Sequence, residues 1–248
     1  MKNNYRTIFI SDTHLGSRTA NADLLLEFLR YNDCEKLVIV GDFIDFWALR
    51  RSTYFPSSHK EIIRLIIKYP TQVEYIPGNH DEVVRQFIPI IMDNLKILKE
   101  SVHETKNGKK FLILHGDDFD QVVKYAKWLA YFGDIGYTFL IRANHSINFI
   151  RKIFGQGYWS LSSWVKQTVK QAVNIISEYE EAIIKDVKKR GYDGVICGHI
   201  HHAEMRETHG ITYVNCGDFV ESCTAVVEDQ DGNLKIINWI IERERYII

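Results

Sequence analysis

Five short blocks of this sequence bring carboxylates, imidazoles and glycines together in an order that suits metal-assisted chemistry. They are Ser11-Asp12-Thr13-His14, Gly41-Asp42, Gly78-Asn79-His80-Asp81, His115-Gly116-Asp117 and Gly198-His199-Ile200-His201. The donors they offer are oxygen and imidazole without thiolate, a set matched to manganese, iron or zinc rather than to calcium alone. Asp12, His14, Asp42, Asn79, His115, His199 and His201 are the candidate metal ligands. Seven donors are too many for one tetrahedral ion and fit two ions about 3.5–4 Å apart that share one carboxylate. Each block alone is a weak signal, because a carboxylate after a strand or a histidine in a loop is usually structural or solvated. Their conjunction is what points to a two-metal centre.

The blocks share a position in the chain's pattern. Each follows a short apolar run, at residues 7–10, 36–40, 73–77, 111–114 and 194–197. Runs of four or five aliphatic residues read as buried parallel strands, and open α/β sheets place their chemistry at the carboxyl ends of such strands. Leu24, Leu25, Phe28 and Leu29 fall at helical spacing, so residues 22–31 read as a crossover helix, with a second at 60–68 ending before Pro70. Residues 47–54 read as a short helix and loop, and 82–92 as a helix kinked at Pro89. Further strands are predicted at 95–98, 102–105, 211–216, 225–228 and 234–240, with Asn107-Gly108 and Asp231-Gly232-Asn233 as turns.

Composition sets the outer limits. With 248 residues, 46% hydrophobic and 25% charged, the chain can form one well-buried α/β domain, or one domain with an insertion. A net charge of -1 excludes a strongly basic nucleic-acid coat. Cys34, Cys197, Cys216 and Cys223 lack paired zinc-type spacing, which favours a reducing compartment. No signal-peptide pattern precedes the first strand, and no run reaches the roughly 18 apolar residues of a spanning helix.

Between Gln121 and Lys170 the character changes. Seven basic residues stand against one acid, Asp134, interleaved with aromatics such as Tyr125, Trp128, Trp159 and Trp164. This window reads as the start of a helical cap, residues 121–189, inserted into a core formed by 1–120 and 190–248. Ser163, Lys166 and Lys170 share one helical face with Gln167 and are candidate substrate contacts. The same face could equally be solvated, and most of the aromatics could be the cap's own core.

In this order the blocks resemble the calcineurin-like metallophosphoesterases, whose pattern is D-x-H, G-D, G-N-H-D/E, H and G-H-x-H. The motifs span Asp12 to His201. The resemblance implies a four-layer α/β/β/α sandwich. It implies that Asp12, His14 and His201 hold one ion, that Asn79, His115 and His199 hold the other, and that Asp42 bridges them. His80 is then the general acid, or stabilises charge on the phosphoryl group, and metal-bound hydroxide attacks phosphorus in line. Asn79 and His80 would also contact substrate. Manganese is the expected ion, with iron or zinc as alternatives. Asp45, Asp117 and Asp118 are candidates to orient the ligand histidines, while His59, His103, His145, His202 and His209 are read as surface or structural.

The length, the aromatic-basic insertion and the tail Asn215-Cys216-Gly217-Asp218-Phe219-Val220-Glu221-Ser222 resemble the UDP-2,3-diacylglucosamine diphosphatase group of lipid A synthesis. That resemblance implies hydrolysis of a nucleotide-diphospho-lipid to UMP and an acylated sugar 1-phosphate, with the insertion holding the acyl chains. It also implies a cytoplasmic protein, peripheral on the cytosolic face of the inner membrane if the basic window contacts anionic lipid. The sequence carries His80 where the best-known branch of that group has Arg. A phosphodiesterase or nuclease of the same superfamily is the alternative enzyme, although nucleic acid is not the expected partner. A non-catalytic interaction module would have lost ligands, and all seven are present.

Overall fold

The apolar runs before the five blocks are strands. In the computed structural model, which describes residues 2–119 and 176–246, they are β1 (Asn3–Ile10), β2 (Asn32–Val40), β3 (Gln72–Ile76), β7 (Lys110–Ile113) and β8 (Gly194–Cys197). The others are β4 (Ile90–Met92), β5 (Leu95–Ile97), β6 (Ser101–Glu104), β9 (Glu204–Thr208), β10 (Ile211–Asn215), β11 (Thr224–Glu228) and β12 (Leu234–Asn238). They form two sheets flanked by helices. One has seven strands in the order β12-β11-β1-β2-β3-β5-β4, and the other five in the order β6-β7-β8-β10-β9.

β1, β2, β3 and β5 run parallel at the centre of the larger sheet, with Ile10 beside Ile39 and Val40 beside Ile76. β7, β8 and β10 run parallel in the smaller one. Alternate side chains of each central strand are buried on opposite faces, which is why the runs are continuously apolar. Ile8, Ile10, Leu37 and Ile39 join the core formed with helices α1 (Ala22–Tyr31) and α3 (Ser57–Ile67). Phe9, Val38, Val40 and Ile76 instead pack with Phe111, Ile113, Ile196 and Val214 of the smaller sheet. The five site-bearing strands therefore end together, three from one sheet and two from the other.

The chain divides into two compact units, Met1–Asp117 with Ile183–Ile248, and Asp118–Ala182. Helix α4 covers residues 176–189, with Ile183, Ile184 and Val187 buried. Ser163, Lys166 and Lys170, and most of the expected cap, lie outside the described residues. Among the described residues no helix is long and apolar enough to cross a membrane.

Two local expectations are corrected and one strand is added. Residues 82–92 are not one helix: a 3₁₀ turn over Glu82–Phe87 is followed by β4, because Ile88 adopts an extended conformation before Pro89. β9 was not predicted, since its side chains are only partly buried and show no clean alternation. β12 stops at Asn238, whose side chain accepts from Ile241 N at 3.2 Å and starts helix α5 (Trp239–Glu242) in place of the predicted strand to residue 240.

Candidate metal centre

Five of the seven candidate ligands occupy backbone conformations that ordinary residues avoid. Asp12, His14, Asp42, His199 and His201 have φ of 49°, 46°, 49°, 75° and 55°. A left-handed non-glycine residue carries strain that its surroundings must hold in place, and such residues gather at functional sites. Here the holding is explicit. Asp12 N donates to Gly41 O at 3.1 Å, and His14 N to Asp42 O at 2.9 Å, tying the loop after β1 to the loop after β2. Gly198 N donates to His115 O at 3.1 Å, and His199 N donates to Asp12 Oδ2 at 2.8 Å, joining the two sheets. A Cβ at Gly41, whose φ is +85°, would collide with the His115 ring, and one at Gly78 would collide with the Asp42 carboxylate. Glycine is thus needed at both places for close approach.

The side chains converge in two groups. Asp12, His14 and His201 form one cluster of donor atoms, and Asp42, His115 and His199 another. In the first, His14 Nε2 lies 3.3 Å from His201 Nε2, and Asp12 Oδ1 lies 3.2 Å from His201 Nε2 and 3.8 Å from His14 Nε2. Donors 2.0–2.1 Å from a single ion at tetrahedral or octahedral angles lie roughly 2.8–3.4 Å apart, so the two separations at His201 suit a small divalent cation, while the Asp12–His14 separation is wider. Asp42 Oδ2 lies 3.4 Å from His115 Nε2 and 3.7 Å from His14 Nε2, facing both clusters. Asp12 Oδ1, Asn79 Oδ1 and His115 Nε2 are buried and have no hydrogen-bond partner among the described residues. Buried polar atoms rarely go unsatisfied, and a cation at each cluster would satisfy them.

Electrostatics agree with this. Burial alone would raise the Asp12 carboxyl, but His201, His14 and His115 outweigh it and hold the group well below the usual carboxylate range. Asp42, opposed by burial and favoured chiefly by His115, falls to about 2. Burial would likewise lower His14 and His115, yet the carboxylates around them raise both to about 10. The field drives positive charge onto the imidazole nitrogens, and a dication at the same lone pairs meets the same field.

A surrounding layer fixes these groups. His115 Nδ1 is 3.0 Å from Val40 O, which sets the tautomer that leaves the Nε2 lone pair free to bind a cation. Asp45 lies 3.3 Å from His14 Nδ1 and 3.1 Å from His80 Nδ1, as expected of an orienting carboxylate. Asp117 does not do this: it forms a bidentate pair with Arg85 at 2.7 and 2.8 Å, and Arg85 in turn donates to Pro77 O, linking the loops after β3 and β7. Sequence reasoning missed several ties. Ser11 Oγ donates to Val40 O at 2.7 Å and also bonds Asp12. Asn215 Nδ2 holds Gly198 O at 2.7 Å. The Asp81 carboxylate accepts from Phe43 N at 2.8 Å, and from Tyr75 Oη and Gly78 N. Its place in Gly-Asn-His-Asp was the only signal for that role. His59 and His103 are buried and structural: Gly16 N donates to His59 Nδ1 at 2.9 Å, and His103 Nε2 is 2.8 Å from Glu228.

Two mixed sheets whose central parallel strands end in a shared cluster of carboxylate and imidazole donors define a class, and the chain belongs to it. The calcineurin-like phosphoesterase family, a family of metal-dependent phosphoester hydrolases, matches residues 5–203. Among curated proteins, the UDP-2,3-diacylglucosamine hydrolase of Histophilus somni (strain 2336) is 33% identical over 118 residues, 45% of this chain and 49% of that protein. The match thus spans about half the length of this relative. Among solved structures, a novel archaeal phosphodiesterase aligns with a TM-score of 0.46 and 15% identity, over 93% of this chain and 98% of its own. Yfce, a phosphoesterase from E. coli, aligns with a TM-score of 0.44 and 13% identity, over 94% and 98%.

Proposed function

We propose that this protein is a dinuclear-metal hydrolase that cleaves the diphosphate of a UDP-sugar lipid, converting UDP-2,3-diacylglucosamine and water to UMP and 2,3-diacylglucosamine 1-phosphate. The observation that carries the metal reading is Asp42 Oδ2, which lies within 3.4–3.7 Å of a histidine from each donor cluster. In this reading Asp12, His14 and His201 hold one ion, Asn79, His115 and His199 hold the other, and Asp42 touches both. Manganese suits the donor set, as do iron and zinc. Such ions, when bound, polarise phosphoryl oxygens and lower the pKa of water towards neutrality.

The chain's own residues do the rest. His80 Nδ1 faces Asp45 Oδ1 at 3.1 Å, so Nε2 is the nitrogen available to hand a proton to the leaving oxygen or to stabilise charge on the phosphoryl group. Asn79 and His80 contact the phosphate in this reading. In this reading Ser163, Lys166 and Lys170 grip a phosphate or the sugar, and the cap takes the acyl chains. The 33% identity to the Histophilus enzyme supports the lipid substrate. Work on such a lipid places the protein in the cytoplasm and peripherally on the inner membrane. His80, in place of the Arg of the best-known lipid A branch, favours a second reading, a phosphodiesterase acting on another phosphoester.

The test is UMP release from UDP-2,3-diacylglucosamine by manganese-loaded protein, beside a bis-aryl phosphodiester and single-stranded DNA, with Asp42→Asn as the blank. Fast UMP release with the other substrates slow supports the lipid reading. Turnover of the diester alone keeps the metal centre and removes the lipid. Near-normal turnover by folded Asp42→Asn sinks the two-metal assignment.

A further inference from the structure

The four-residue helix α2 (Phe46–Leu49) touches His80 at more points than its size suggests. Its N-cap is Asp45, which accepts from Ala48 N at 2.7 Å and also meets His80 Nδ1 at 3.1 Å. Its first residue, Phe46, donates its backbone N–H to His80 O at 3.2 Å. Its second, Trp47, lays its indole against the His80 imidazole, with ring centroids 4.2 Å apart and planes inclined by 36°. The His14 ring meets the same imidazole edge-on at 4.5 Å. The helix is itself anchored, because Leu49 lies against Gly16 of the loop that follows His14.

Trp47 is the anomaly in this set. It is 42% exposed and belongs to neither core cluster of the described residues. Burial therefore does not explain its place, whereas contact with His80 does. The approach to Asp45 places a single nitrogen of the ring without a formed hydrogen bond, and leaves the imidazole free to turn. A tilted aromatic face on one side and the His14 edge on another remove that freedom.

We propose that Trp47 is a positioning residue for His80, holding the imidazole in the plane in which Nδ1 meets Asp45 and Nε2 is presented to the reacting group. This rests on the reading of His80 as a group acting at the phosphoryl centre. Because the side chain is exposed and outside the core clusters of the described residues, its removal is expected to change the reaction more than the fold.

The test compares Trp47→Ala and Trp47→Phe with wild type in three measurements. Steady-state kinetics on the UDP-lipid and on a bis-aryl phosphodiester should show kcat of Trp47→Ala reduced about tenfold with KM within about twofold, and most of the loss restored in Trp47→Phe. Long-range ¹H–¹⁵N spectra of the histidines in the zinc-loaded full chain, with His80 assigned through His80→Gln, should show one fixed tautomer in wild type and Trp47→Phe. Trp47→Ala should give averaged shifts. Thermal unfolding and metal content should be the same in all three. A fixed His80 tautomer with full kcat in Trp47→Ala overturns the proposal, as does a change confined to KM, which would make Trp47 a substrate contact. A wild-type protein inactive on both substrates refutes the proposed function instead, and the histidine spectra still decide the role of Trp47.

Discussion

Replacing Asp45 with Asn tests how the centre is held, because the two carboxylate oxygens have separate duties. Oδ1 accepts from Ala48 N at 2.7 Å and lies 3.1 Å from His80 Nδ1, while Oδ2 lies 3.3 Å from His14 Nδ1. An Asn amide has one acceptor. With its oxygen at the Oδ1 position it keeps the helix cap and the His80 contact, and it sets its NH₂ against the N–H of a His14 that must point Nε2 inward. The opposite orientation saves one contact and loses two, so the first is preferred. The lost charge-assisted hydrogen bond is worth about 1.5–3 kcal/mol, which matches the roughly 10–100-fold loss of metal affinity seen when the partner of a ligand histidine is removed. The loss should fall on one ion only, that of Asp12, His14 and His201. Isothermal titration with zinc should resolve one site weakened by that factor and one nearly unchanged, with α2 still formed. Equal weakening of both sites, or of neither, refutes the reasoning.

Other parts of the structure carry their own expectations. Phe28 is fully buried and packs on Phe219 and Trp239 at ring distances of 5.7 and 5.5 Å. Phe28→Ala should cost about 3–5 kcal/mol, read as a lower urea midpoint with an unchanged slope. Burial, aided by Lys36 and Arg6, lowers the His103 pKa below 6.5 and outweighs the adjacent Glu228. A histidine whose pKa is depressed by folding contributes stability that is fully present above pH 6.5 and lost as pH falls through its folded value. Unfolding free energy should therefore drop below that pH, and His103→Gln, which keeps a donor for Glu228, should flatten the drop. A slope unchanged by the substitution would show that other groups set it.

The sequence was most legible where the chain's chemistry and its folding pattern coincide. Each ligand block terminates a run that must be a buried strand, so residue type and position reinforced one another at Asp12, Asp42, His115 and His199. The ties that hold those residues were harder to read. Asp81 acts through Phe43 N, from a loop 38 residues away, and Asn215 through Gly198 O. Such bonds depend on which loops meet, and local pattern does not encode that. Asp45 and Asp117 looked alike as loop acids, yet one meets two histidines and the other pairs with Arg85. β4 was misread because the spacing of Val83, Val84 and Phe87 suits a helix, while its pairing with β5 is tertiary. β9 gave no alternation because its residues are only partly buried.

The central claim is that Asp42 is shared by two ions. Anomalous diffraction from crystals of the manganese-loaded protein tests it most directly. The account predicts two peaks about 3.5–4 Å apart, one among Asp12, His14 and His201, one among Asn79, His115 and His199, with the Asp42 carboxylate between them. A single peak at full manganese occupancy, or two peaks too far apart for one carboxylate to reach both, would contradict it.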